Sequence, residues 1–164
     1  MKRFQKGLFL GLLLGISGLG LLANRDKPEA IAQTLTEPDA DMSAIIETLQ
    51  QYDFKVAFTR PPRSQAYGLI QPSTRQIWVH PVTYPLGIAK QTLIHEAVHA
   101  AQTCRSIDPV EPLGIDVPIS TRTRRHFLRY HSFRRHVEAE ALTVQGLPNG
   151  TDYVIQLLKT HCER

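Results

Sequence analysis

Cysteine is scarce in this 164-residue chain, which has two, Cys104 and Cys162, and no Cys-x-x-Cys pair. The count allows one intrachain disulfide, and the missing short spacing argues against zinc held by thiolates. Length is limiting too: one domain with a modest core fits, and two do not fit comfortably. Excess charge is lacking once its location is considered. The formal net charge is +4, but Lys2, Arg3 and Lys6 sit within the first six residues, and residues 24–164 carry 16 basic against 15 acidic groups. That balance gives no ground for expecting a nucleic-acid partner. There is no internal repeat, and no low-complexity tract beyond one apolar run near the start.

That run, GLFLGLLLGISGLGLLA from Gly7 to Ala23, is 17 residues without a charge behind a basic start. Spanning a hydrocarbon core takes about 20 apolar residues, with roughly 17 as the lower limit. Residues 1–23 therefore read as a signal peptide or an N-terminal membrane anchor. Six glycines or serines in the run speak against a buried helix of a soluble domain. Either outcome places the domain outside the cytosol, secreted or associated with a membrane through residues 7–23. Residues 24–38, with Pro28 and Pro38, read as a linker, and residues 39–164 as the folded domain.

Within that domain, Met42, Ile45, Ile46 and Leu49 recur at helical spacing, with Asp39 or Asp41 available as a cap. FKVAFT, residues 54–59, is rich in strand formers. AYGLIQ (66–71) and QIWVH (76–80) flank Pro72-Ser73-Thr74-Arg75, which is turn chemistry and predicts a hairpin. The expected fold class is α+β, with a short, mainly antiparallel three-stranded sheet. Residues 86–104 lack proline and predict a helix. Pro109, Pro112 and Pro118 mark an irregular stretch over 106–120. A second long helix is expected over 122–145, with Phe127, Tyr130, Phe133, Val137, Ala141 and Val144 on one apolar face. Asn149-Gly150 predicts a turn and Thr151 an N-cap for a last helix.

The helix over 86–104 contains His95-Glu96-Ala97-Val98-His99, an HExxH motif. Residues four apart share a helix face, so the two imidazoles can converge on one ion. Glu96, one step round, can reach a water on that ion and act as general base. HExxH alone arises by chance in about one of a hundred chains of this composition, so a third ligand is needed to support it. Histidine at the metzincin spacing is excluded, because position 102 is Gln and position 105 is Arg. Gln102 itself reads equally well as surface or as support for a ligand. The best source of a third ligand is RRHVEAEALTVQ, residues 134–145, where Glu138 and Glu140 both flank the apolar face.

HExxH followed on a later helix by Glu138-Ala139-Glu140-Ala141 resembles the gluzincin class of zinc metallopeptidases, especially its small minigluzincin members. The resemblance covers residues 66–145. It implies a zincin-like domain: a short sheet, an active-site helix and a second, glutamate-bearing helix. It further implies Zn2+ held by His95, His99 and Glu138, with Glu140 as the rival third ligand, Glu96 as the catalytic base, and a peptide or protein as substrate. One edge strand, AYGLIQ or QIWVH, would pair with the extended substrate. Many gluzincins carry Asp or Asn four residues after the glutamate ligand to orient a histidine, and here that position is Leu142. Tyr130, His131, Arg134 and Tyr153 are candidates for stabilising a developing oxyanion. In an exported chain, Cys104 and Cys162 are compatible with a disulfide tying the HExxH segment to the chain terminus, and a pair of buried free thiols explains the count as well.

Two readings compete with a peptidase: a catalytically inactive zinc-binding scaffold of the same fold, and a non-metal interaction domain. The second rests on RTRRHFLRYHSFRRH, residues 122–136, whose six arginines interleaved with aromatics suit anionic lipid headgroups.

Overall fold

The computed structural model describes residues 37–63, 65–115 and 132–163, with the backbone alone at 132 and 133. The segments 1–23 and most of 24–38, the bulk of the basic stretch 122–136, and Phe127, Tyr130 and His131 lie outside the described residues. The fold is α+β, with four helices and a small three-stranded sheet among those residues. In chain order these are α1 (Ala40–Gln51), β1 (Lys55–Ala57), β2 (Gly68–Gln71), β3 (Gln76–Val79), α2 (Ala89–Arg105), α3 (Ser132–Val144) and α4 (Gly150–Cys162). No described helix is long and apolar enough to cross a membrane.

Asp39 caps α1, accepting a hydrogen bond from Met42 N at 2.8 Å, while Asp41 pairs with Lys90 at 2.8 Å. The periodic residues Met42, Ile45 and Leu49 are buried, as one apolar stripe requires. Proline 72 opens a tight turn between β2 and β3, so the hairpin forms where the turn residues predict it.

The sheet is mixed, which corrects the mainly antiparallel expectation. Its order is β1-β3-β2: β2 pairs with β3 antiparallel, and β1 pairs with β3 parallel. The physical reason is the connection over residues 58–67, which contains Pro61 and Pro62 and is too long for a hairpin. It leaves a gap between β1 and β2 that β3 fills, satisfying backbone groups on both sides. QIWVH is therefore the central strand and not an edge, and AYGLIQ supplies an edge strand. On β3, Ile77 and Val79 are buried and carry the sheet's contribution to the core.

The central element is α2, which packs against α1, α3, α4, β2 and β3. Ala97, Ala100 and Ala101 are fully buried, and their small side chains let the neighbouring helices approach closely. Two helix starts differ from expectation: α2 begins at Ala89 and not at residue 86, and α4 begins at Gly150 with Asn149 at its cap position, so that Thr151 falls inside the first turn. For α4 the cause is packing. A Cβ at Gly150 would lie 2.7 Å from the carbonyl oxygen of Val144, so the absent side chain lets the start of α4 press onto the end of α3. At the far end of these helices the sulfurs of Cys104 and Cys162 are bonded, joining the C-terminal turns of α2 and α4.

Candidate metal centre

Helical periodicity on α2 puts His95 and His99 on one face, with their rings edge-to-face and the two Nε2 atoms 3.1 Å apart. α3 packs across this face and brings in Glu138, whose Oε2 lies 3.5 Å from His95 Nε2 and 3.6 Å from His99 Nε2. For a metal bound tetrahedrally at about 2.0–2.1 Å, neighbouring ligand atoms are separated by about 3.3 Å. The three observed separations bracket that value. Glu140 is not part of the group; its carboxylate is buried and faces the opposite way, accepting backbone N–H groups from Leu113, Gly114 and Ile115.

The outer nitrogens of both imidazoles are fixed. His99 Nδ1 is 2.7 Å from Gln102 Oε1, and His95 Nδ1 is 2.9 Å from Gln145 Oε1. An amide oxygen only accepts, so Nδ1 is the donor in each pair, and a metal ion would meet Nε2 and its lone pair. Two lone pairs and a carboxylate oxygen then converge at ligand distance. Such a trio attracts positive charge, and these three residues could hold a divalent metal ion.

The groups of the cluster also shift one another's protonation. Burial acts to lower the pKa of His99, but its hydrogen bond to Glu138 and the charges of Glu96 and Glu138 outweigh this and raise it. Burial acts to raise Glu138, yet its bonds to His95 and His99 hold that carboxylate well below the ordinary range. Side-chain exposures of 17%, 12% and 16% for His95, His99 and Glu138 leave the group largely buried with part of its surface accessible to solvent.

Glu96 lies one step round α2 and is buried. Burial pushes its carboxyl pKa up, His99 and His95 offset part of the rise, and Glu138 adds to it. The backbone of β2 covers it: a Cβ at Gly68 would fall 2.5 Å from Glu96 Oε1. Arg134 is exposed at the start of α3, and Tyr153 lines a shallow depression on α4 beside Asp152 and His161.

Sequence reasoning missed two residues of this centre. Gln145 follows Glu138 by seven positions, two helical turns, and that spacing was the available signal. Gly68 had none, since its role depends on a contact with a residue 28 positions away. The imidazoles are oriented by Gln145 and Gln102, so the orienting residue expected at position 142, where Leu stands, has its task done from elsewhere. Comparison of the chain with protein-family models, curated proteins and solved structures returns no match.

Proposed function

We propose that this domain is a zinc-dependent metallopeptidase of gluzincin type, in which His95, His99 and Glu138 hold Zn2+ and Glu96 is the general base. The observation that carries the reading is the convergence of His95 Nε2, His99 Nε2 and Glu138 Oε2 at 3.1 to 3.6 Å. Two histidines and a carboxylate with one position open are the donor set of catalytic zinc. Zinc there would polarise a substrate carbonyl and bring the pKa of a water towards neutrality.

The chain's own groups supply the rest. Glu96 takes the proton of the attacking water on its carboxylate and returns it to the leaving amine. Its raised pKa suits that exchange, because a carboxyl that holds its proton more readily is a better base and a competent acid in turn. Gln102 and Gln145 orient the ligand imidazoles. The edge strand β2, adjacent to Glu96, is the surface along which an extended peptide would lie. The Cys104–Cys162 bond and the apolar run over residues 7–23 support an extracytoplasmic setting, secreted or membrane-anchored.

The test is metal content followed by hydrolysis. Purified protein should carry one zinc, lost in His99→Ala, and should cleave an unstructured protein. Glu96→Ala should abolish cleavage while zinc stays bound. Zinc binding without cleavage in the native chain would instead support an inactive scaffold, and correctly folded protein that binds no zinc would favour an interaction domain acting through the basic stretch 122–136.

A further inference from the structure

Gln102 and Glu140 are buried together on the side of His99 away from Glu138. Gln102 is fully buried and fully bonded: its Nε2 donates to Val137 O at 3.0 Å and to Glu140 Oε2 at 2.8 Å. Both partners are acceptors only, so the amide cannot turn round without setting oxygen against oxygen. Its Oε1 must therefore face His99 Nδ1, 2.7 Å away.

Glu140 is held just as firmly. Its Oε2 also accepts from Leu113 N at 2.7 Å, and its Oε1 from Gly114 N at 2.7 Å and Ile115 N at 3.0 Å. Three successive backbone N–H groups on one carboxylate form an anion nest. The buried charge is thereby satisfied, and the stretch following α2 is pinned to α3.

We propose that Gln102 and Glu140 are positioning residues for His99. Glu140, seated in the amides of residues 113–115, orients the Gln102 amide, and that amide holds His99 as its Nδ1–H tautomer with Nε2 bare towards Glu138. The inference rests on the metal-centre reading above. It adds that the loop beyond α2 acts on a ligand through two side chains that do not touch the ion.

The experiment measures zinc affinity of the full chain by chelator competition in the native protein, Gln102→Leu, Glu140→Gln, the double variant and His99→Ala. Leucine keeps the bulk of glutamine and removes its acceptor. Each single substitution in the relay should weaken zinc by about tenfold to a hundredfold, the range for partners of ligand histidines. Because Glu140 acts through Gln102, the double variant should bind no more weakly than Gln102→Leu alone. Nitrogen-15 spectra of the metal-free protein at alkaline pH should show His99 as the Nδ1–H tautomer in the native chain and as a mixture in Gln102→Leu, a change that a merely structural role would not produce. Unchanged affinity in folded Gln102→Leu, additive losses in the double variant, or an Nε2–H tautomer in the native chain would each overturn the proposal, the last without any variant having to fold. Failure of the underlying reading is distinct: zinc would then bind His99→Ala as tightly as the native protein, or bind neither.

Discussion

Gly68 and Glu96 are in contact across the interface of β2 and α2, so close that a side chain at residue 68 would overlap the carboxylate. A Cβ there would lie 2.5 Å from Glu96 Oε1, 2.8 Å from Glu96 Cγ and 2.8 Å from Thr92 Cγ2. Glu96 is buried and Thr92 stands half-buried on the other side, so an added methyl must displace one of these side chains. Gly68→Ala should move the carboxylate while leaving the three proposed ligands in place. A displacement of about 1 Å at a reacting group costs on the order of a hundredfold in rate. Hydrolysis by Gly68→Ala should fall by that order with zinc content unchanged, and full activity would show that the strand does not position the base.

Glu138 and Glu140 should respond differently to the same conservative change. Glu138 Oε2 stands at ligand distance from both histidines, whereas Glu140 reaches His99 only through Gln102. Glu138→Gln should therefore weaken zinc by more than the tenfold to hundredfold expected of an outer partner such as Glu140. Competition against a chelator of known strength measures both. Equal losses, or a larger loss at Glu140, would reverse the assignment of the third ligand.

How much of this was legible in the sequence depended on how local each feature is. HExxH needs only a helix, and Ala89–Arg105 form one within the proline-free stretch that predicts it. The hairpin needed only its turn residues. Glu138 and Glu140, two apart on a helix, point about 200° away from each other, so only one can reach His95 and His99 directly. Deciding which required the packing of α3, which no periodicity in 134–145 specifies. The sheet order failed for a similar reason: β1 is joined to the hairpin by a long connection, and its neighbour is set by tertiary space and not by the residues between. Gln102 could be read as surface or support because an amide suits both, and its place was settled by Val137 and Glu140 from the other helix.

The Cys104–Cys162 bond closes a loop with a sequence separation of 58 between the ends of α2 and α4. Cross-links over loops of this length stabilise by about 2–4 kcal/mol, chiefly by restricting the unfolded chain. Replacing both residues by serine should lower the unfolding free energy by that amount in denaturant titrations. Zinc affinity should change far less, since His95 and His99 are held by Gln145 and Gln102 and not by the bond. A variant as stable as the native domain would show that the loop is already restricted without it.

Metal binding should depend on pH with an inflection above 6.5. His99 has a raised pKa in the metal-free fold, burial being outweighed by Glu138 and Glu96, so its proton stabilises that fold fully below 6.5 and ceases to do so as pH rises through the raised value. Glu138 works in the opposite sense: its carboxylate, held low by His95 and His99 against the effect of burial, contributes stability above 4.5 that is lost as pH falls. Between these limits the pair His99⁺ and Glu138⁻ stabilises the metal-free state. Zinc needs the bare Nε2, so it must displace that proton, and apparent affinity should fall about tenfold for each pH unit below the raised His99 value. Glu138→Gln removes the main partner of the proton and should move the inflection down as well as weaken binding. Zinc affinities measured across neutral pH check both effects, and an inflection at or below 6.5 in the native protein would show that His99 is not the group in competition with the metal.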